Sequence, residues 1–180
     1  MYAFYNCVGL ETVSISNSVL TIEDYAFQYC SNIKSLTIPN SVCSIGKYAF
    51  FNCKNITSLF IGEKTTTINT AAFKNCTALS NVTNYSEYPQ NIDNTVFSGV
   101  EIKNCFLYVG EGSYEYYKSA EHWKDFIVQI AGVEGVEVDG TTKEVEGYYD
   151  LKGVRLEEPA CGQVNIVRYT DGTAKKIVIE

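Results

Sequence analysis

The stretch AFQYCSNIKSLTIPNSVCSIG, residues 26–46, is one unit of a repeat that decides the fold. Its Ala-Phe pair recurs at every 23rd residue (3, 26, 49 and 72), and the same step carries a cysteine and several aliphatic residues. The main columns are Phe4, Phe27, Phe50 and Phe73; Cys7, Cys30, Cys53 and Cys76; Leu10, Ile33, Ile56 and Leu79; and Val13, Leu36, Leu59 and Val82. A fixed period of this length indicates a solenoid, in which each unit stacks on the next.

The residues within one unit predict its local structure. In residues 33–38, apolar Leu36 and Ile38 alternate with small polar residues, which is the pattern of a strand with one buried face. Val42 and Ile45 predict a second short strand, and the apolar spacing over 47–53 predicts one or two helical turns. Such a unit cannot bury its apolar face alone. We therefore expect an α/β repeat, a right-handed solenoid of four full coils and one degenerate coil built from short strands and short helices.

The repeat resembles the BspA-like leucine-rich repeats, whose pattern is roughly A-F-x-x-C-x-x-L-x-x-V-x-I-P-x-S-V-x-x-I-G. Residues 26–46 match this pattern closely, and the resemblance covers residues 1–105. The segment IGEKTTTI, residues 61–68, departs from it because polar residues replace Pro-x-Ser-Val. Phe97 lies one residue beyond the 23-residue register, which places an inserted residue within NYSEYPQN, residues 84–91. The resemblance implies a leucine-rich-repeat solenoid.

The rest of the chain leaves the repeat in two steps. Residues 106–131 resemble the closing segment of such solenoids, in which Tyr117, Trp123 and Phe126 are expected to cover the open core of the last coil. Residues 132–180 resemble a small C-terminal β-module of proteins exported by anaerobic bacteria. That match rests on Tyr149, Asp150, Gly153, Gly162, Ile166 and Gly172. The predicted domains are thus the coils (1–105), the cap (106–131) and an all-β, sandwich-like module (132–180).

Charge and hydropathy exclude several classes of partner. The chain has 180 residues and a net charge of −7, and its lysines and arginines form no basic stripe. We therefore expect no binding to nucleic acid. The apolar runs are too short to span a bilayer, so we expect no membrane insertion of this chain. A charged segment followed by an apolar one does not open the sequence, so we expect no signal peptide in this chain.

The residues with catalytic or metal-binding chemistry are too dispersed to predict an active site. The four repeated cysteines fall on one line, which cannot surround a zinc ion, so they are expected to be buried and reduced. His122 is the single histidine, and a packing role for it is favoured over a catalytic pair with Cys105. The redox states of Cys43, Cys105 and Cys161 stay open. We expect no catalytic residue, no metal and no cofactor, and hence no enzyme.

The surface carries the candidate binding site. The outward positions of the repeated strand form a sheet of short hydroxyl and amide side chains with one aromatic, Phe60. The predicted binding residues are Ser35, Thr37, Ser58, Phe60, Asn81, Thr83, Tyr85 and Tyr88. The alternative is an ordinary soluble β-face. A second column of Tyr2, Tyr25 and Tyr48 suits an interface, but these rings could equally lie flat between coils.

The family resemblance implies a function. It points to a bacterial cell-surface or secreted protein that mediates adhesion by binding a protein or glycan of the host or of a neighbouring cell. A structural spacer or anchoring segment of a larger surface protein is the alternative. Fold alone does not decide between these two roles.

Overall fold

The computed structural model describes residues 1–131 and the strand segments 145–149, 155–156, 164–169 and 174–178. The chain divides into two compact units, Met1–Ala131 and Gly132–Glu180. Within the described part of the chain the one α-helix is α1, Tyr114–Ser119. Strands and turns therefore provide nearly all the regular structure of the first unit.

Two parallel sheets run along the first unit, as the repeat predicts. The smaller contains β1 (Thr21–Ile22), β3 (Ser44–Ile45) and β5 (Thr67–Ile68), paired in that order. The larger contains β2 (Ser35–Ile38), β4 (Ser58–Ile61), β6 (Asn81–Asn84), β7 (Phe106–Val109) and β8 (Ile127–Ile130), also in chain order. Strands β7 and β8 belong to the predicted cap, yet they extend the sheet of the coils, with Asn81 opposite Phe106 and Phe106 opposite Ile127. The parallel stack thus continues through the cap.

The third side of each coil contains turns, and the prediction of short helices there was wrong. The Phe50 N–H donates forward to the Ala72 carbonyl of the next coil at 2.8 Å, whereas the Phe51 N–H donates back to the Tyr48 carbonyl at 3.2 Å. Tyr48 and Asn52 adopt left-handed backbone angles, with φ of 54° and 60°. A helix would need every N–H to bond within its own segment. Because alternate N–H groups bond to the following coil, consecutive turns form instead.

A ladder of phenylalanine rings fills the core beside these turns. The rings of Phe4, Phe27, Phe50, Phe73 and Phe97 stack nearly parallel, with centroids 4.9, 5.1, 5.4 and 5.6 Å apart. Phe97 joins the ladder although it lies one residue out of register, as the predicted insertion requires. Trp123 and Phe126 then meet Phe97 edge to face, at 5.5 and 5.2 Å. The cap therefore closes the core with the aromatic residues expected from the sequence.

The repeated cysteines form a second ladder, with one exception. The thiols of Cys30, Cys53 and Cys76 each donate to the phenylalanine carbonyl 26 residues earlier, at 3.0, 3.2 and 3.3 Å. These three side chains are buried and free of disulfides. Cys7 is also free, but it is exposed, which corrects the expectation that all four are buried. The reason is that it lies in the first described coil, whose outer side no other described coil covers.

The described part of the second unit is one antiparallel sheet. It contains β9 (Val145–Tyr149), β10 (Arg155–Leu156), β11 (Val164–Tyr169) and β12 (Ala174–Val178), in the order β10-β9-β11-β12. Of the residues that carry the predicted module, Tyr149 and Ile166 lie in these strands. Asp150, Gly153, Gly162 and Gly172 lie outside the described residues, as does Cys161.

Substitution of Gly62 tests how closely adjacent coils must pack against each other. A Cβ atom at this position would lie 2.5 Å from the carbonyl oxygen of Pro39, whereas one at Gly9 would meet nothing within 4 Å. We expect Gly62→Ala to destabilise the first unit by about 1–3 kcal/mol and Gly9→Ala to change its stability by less than about 0.5 kcal/mol. Urea unfolding followed by the fluorescence of Trp123, the single tryptophan, measures both. Equal stability of the two variants would contradict the close packing of coils.

Thiol labelling tests the cysteine ladder. Burial raises the pKa of the Cys76 and Cys105 thiols from 9.0 to about 12, so the folded state holds them neutral. The stability they contribute is complete below pH 9.0 and is lost as the pH rises toward about 12, so labelling belongs near pH 7.5. Maleimide should then modify Cys7 and Cys43 rapidly and leave the four buried thiols, Cys30, Cys53, Cys76 and Cys105, protected until denaturant is added. Peptide mapping that finds rapid modification of Cys53 or Cys76 would overturn the stacked core.

Candidate ligand-binding groove

The outward face of the larger sheet consists of two columns set by strand register. One contains Ser35, Ser58, Asn81, Phe106 and Ile127, and the other contains Thr37, Phe60, Thr83, Tyr108 and Gln129. The expected single aromatic, Phe60, is therefore joined on this face by Phe106 and Tyr108, whose ring centroids are 6.1 Å apart. The sequence prediction missed these two because β7 follows β6 by 25 residues and not 23. The alternation in FLYV was the signal that could have revealed them.

A groove opens where the chain leaves strands β2 and β4 at their carboxyl ends. Its volume is about 420 Å³, and the residues that line it include Asn17, Thr37, Asn40, Phe60, Lys64 and Tyr85. Three of these, Thr37, Phe60 and Tyr85, are predicted binding residues. They come from three successive coils, so the stack brings together side chains that are 23 to 48 residues apart in the sequence.

The other predicted residues lie elsewhere on the surface. Ser35, Ser58, Asn81 and Thr83 are on the outward columns but do not line the groove. Tyr88 is 57% exposed, and its ring lies 5.0 Å from that of Tyr116 on α1. The predicted aromatic patch is therefore divided: Phe60 and Tyr85 line the groove, whereas Tyr88 packs beside Tyr116 of the cap.

The backbone of Tyr85 is held in place by the preceding coil and by its buried neighbour Asn84. Its N–H donates to the Ile61 carbonyl at 3.0 Å, which continues the pairing of β6 with β4. Its neighbour Asn84 points inward at a position where the two preceding strands place Ile38 and Ile61. The Asn84 side-chain amide is buried and donates to the side-chain oxygen of Gln90 at 2.9 Å. A buried polar pair of this kind fixes the path of the inserted segment because both amides need partners.

The same network joins the insertion to the cap. The Gln90 side-chain amide donates to the Thr65 carbonyl at 2.7 Å, and its backbone carbonyl accepts the Trp123 indole N–H at 2.8 Å. The Tyr117 hydroxyl donates to the Ser86 carbonyl at 3.1 Å. The sequence prediction did not include this network. Asn84 in an aliphatic column was the visible signal, since an inward amide requires a partner.

The electrostatics of the groove differ from those of the chain. The net charge of the protein is −7, yet no acidic residue lines the groove and Lys64 is its one cation. Within residues 1–131 no carboxylate forms an ion pair with Lys64. The side-chain oxygen of Asn40 accepts the Glu63 N–H at 3.3 Å, which leaves the Asn40 NH₂ group available as a donor. The groove thus presents an ammonium, an amide donor and hydroxyls beside two aromatic rings.

The residues weighed for catalysis are not arranged as an active site in the described coils and cap. Cys105 is buried, its pKa is raised, and its thiol donates to the Phe106 carbonyl, while no hydrogen bond joins it to His122. His122 occupies a turn with a φ of 66°, and its Nε2 lies 3.9 Å from a Glu121 carboxylate oxygen. The pKa of Asp93 is lowered, chiefly by the hydrogen bond from the Thr95 hydroxyl. A general acid requires the opposite shift.

No group of three or more histidine, cysteine, aspartate or glutamate side chains among the described residues is placed to hold a metal ion. Within the same residues, no helix has the length and hydropathy needed to cross a membrane. 

The tyrosine column of the turn side is stacked. Tyr2 and Tyr25 lie 4.8 Å apart with 9° between their planes, and Tyr25 and Tyr48 lie 5.3 Å apart with 3° between theirs. Of the two interpretations left open by the sequence, rings lying flat between coils is the one observed. Both faces of the Tyr25 ring are covered by its two neighbours, so this ring offers mainly its edge to a partner.

Comparison with protein families finds a match over most of the chain. The family model described as "BspA type Leucine rich repeat region (6 copies)" matches residues 1–116 of 180. Comparison with curated protein sequences gives no significant match.

The amide network generates a prediction about stability. Gln90→Ala should destabilise the first unit by about 1–3 kcal/mol, because the buried Asn84 amide and Thr65 carbonyl lose their partners. The matched control is Asn91→Ala, which removes an exposed amide one residue away and should change the stability by less than about 0.5 kcal/mol. Both are measured by urea unfolding, and a Gln90→Ala chain as stable as the control would show that the network is dispensable.

Proposed function

Because the chain belongs to the BspA-type leucine-rich repeat family, we propose that it is a non-catalytic binding protein of the cell surface or the secreted fraction. Proteins of this family are typically found there. In this proposal the chain mediates adhesion by recognising a protein or glycan of a host or neighbouring cell. The groove at the carboxyl ends of β2 and β4 is the contact site.

One observation carries this proposal: Phe60 and Tyr85 line the same groove. Tyr85 is 55% exposed, and Phe60 is half-buried on a sheet face where its strand neighbours in the same column are Thr37 and Thr83. An exposed aromatic side chain reduces solubility unless a partner covers it, and such residues are frequent binding anchors. The polar residues around the two rings supply the hydrogen-bonding rim that recognition sites commonly have.

The absence of an enzymatic role in this proposal rests on the chemistry of the candidate residues. A nucleophile would need a nearby base, and a general acid would need a raised carboxyl pKa. Within the coils and cap, Cys105 has no hydrogen-bonded base, and the pKa of Asp93 is lowered and not raised.

A spacer role is the second candidate, and the regularity of the stack favours it. Five phenylalanine rings stack within 10° of parallel, and the same backbone bonds repeat between coils. Such a body would hold another region at a fixed distance. A spacer requires the ladder but not the aromatic groove, so the two roles differ in what Phe60 and Tyr85 do.

Substitution of the two aromatics tests the binding role. Screening of the full chain against arrays of glycans and matrix proteins identifies a ligand, whose affinity is then measured for Phe60→Ser and Tyr85→Ser. Each substitution should weaken binding by about 1–3 kcal/mol and leave the melting transition nearly unchanged, because neither side chain belongs to the buried core. Tyr116→Ser, which alters an exposed aromatic on α1 outside the groove, serves as the control and should bind normally.

Two results would count against this proposal. A ligand whose affinity ignores the double substitution of Phe60 and Tyr85 would place the binding site elsewhere. The absence of any ligand, together with unchanged folding of all variants, would favour the spacer role.

A further inference from the structure

We propose that the groove binds an acidic saccharide, a pyranose that carries a carboxylate. This inference rests on the proposed function, and it names the ligand class of the same site. The supporting features are the aromatic rings of Phe60 and Tyr85, the two asparagines of adjacent coils, and Lys64, whose ammonium group has no carboxylate partner within residues 1–131.

The aromatic residues provide the stacking surface that a sugar requires. A pyranose ring presents a flat face of C–H groups, which packs on the electron-rich face of an aromatic ring while its hydroxyls point sideways. Phe60 has a threonine on each side in its column, Thr37 and Thr83, so no neighbouring ring occupies it as happens in the tyrosine column. Tyr85 is tied to the preceding coil through the Ile61 carbonyl, which fixes its backbone relative to Phe60.

The repeat places two amides where sugar hydroxyls would lie. Asn17 and Asn40 are equivalent residues of adjacent coils, 23 residues apart, and both line the groove. An asparagine side chain offers two donors and an acceptor, which matches hydroxyls that each donate and accept. The next residue of this column is Glu63, whose side chain does not line the groove and whose N–H is engaged by Asn40. The amide pair therefore faces the groove without an acidic neighbour in its lining.

The charge of the groove selects an anionic sugar over a neutral one. Lys64 stands at the position where the two preceding coils have Ser18 and Ser41, within the segment that departs from the repeat. This exposed ammonium has no carboxylate partner in the described residues. A carboxylate on the ligand would supply one, and a charge-assisted hydrogen bond is stronger than a neutral one.

The size of the groove favours a saccharide over a protein. A volume of about 420 Å³ lies within the range of roughly 300–1,000 Å³ that is typical of small-ligand sites. A stable protein interface would instead cover about 800 Å² on each partner. One or two sugar units fill such a space, whereas a protein would need most of the outer sheet.

Calorimetric titration of the full chain tests this inference with matched probes. The acidic probes are short oligomers of galacturonic acid, and the neutral probes are the same oligomers with methyl-esterified carboxylates. We expect the acidic oligomer to bind at least about tenfold more tightly than its ester, because only the acid offers a carboxylate to Lys64. Lys64→Gln should remove this difference, whereas Lys54→Gln, an exposed lysine outside the groove, should preserve it. Circular dichroism of each variant verifies folding.

Each other outcome overturns the inference. Equal affinity for acid and ester, no binding of either oligomer, or insensitivity of acid binding to Lys64→Gln would exclude an acidic saccharide at this site. Preferential binding of an acidic peptide such as hexaglutamate would identify a protein segment as the ligand. If the ligand found by array screening depends on Phe60 and Tyr85 but is neutral or a protein, the proposed function stands and only this inference fails.

Discussion

The whole first unit depends on backbone hydrogen bonds that run from each turn to the next coil. The N–H groups of Tyr25, Phe27 and Tyr29 donate to the carbonyls of Lys47, Ala49 and Phe51, and the same three bonds recur one coil later. These bonds set the distance between coils at about the separation of paired strands. Phenylalanine rings and thiols then stack because their backbones are already held at that spacing, and they exclude water from the bonds that hold them. Any residue that forces two coils apart therefore weakens both the backbone hydrogen bonds and the stacked side chains.

The inward and outward residues of each coil have different roles, which explains why a groove can form on so regular a stack. The inward columns of Leu36, Leu59 and Val82 and the turn bonds fix the path of the chain. Residues that point outward or follow the strands make few of these contacts, so they vary at little cost to the stack. Lys64 and Phe60 both lie in the coil that departs from the repeat pattern, and that departure is where the groove acquires its charge and one of its rings.

The repeated parts of the fold were predictable from the sequence. The turn segments were not, because their N–H groups bond to the next coil and not within a helix. The strands and the phenylalanine column follow from spacing and hydropathy, and the closing role of Trp123 follows from the resemblance of residues 106–131 to a solenoid cap. The turn segment was misjudged because apolar spacing suits a helix, while the left-handed angles of Tyr48 and Asn52 depend on bonds to another coil. Phe60 and Tyr85 were recognisable as unusual outward aromatics. Their shared groove with Asn17 was not, since it depends on how four coils align.

In the inserted segment 84–91, the residues that hold the loop in place are different from those whose side chains are exposed. Asn84, Ser86 and Gln90 are buried and hydrogen-bonded, whereas the side chains of Tyr85, Glu87 and Tyr88 are exposed and take no part in the amide network. Because the buried positions 84, 86 and 90 hold the loop, the exposed side chains between them can be exchanged while the loop keeps its conformation. Substitutions at these three sites would change the exposed surface of the segment before they affected folding. The same property makes the segment a natural place to randomise side chains when new binding specificities are selected on this scaffold.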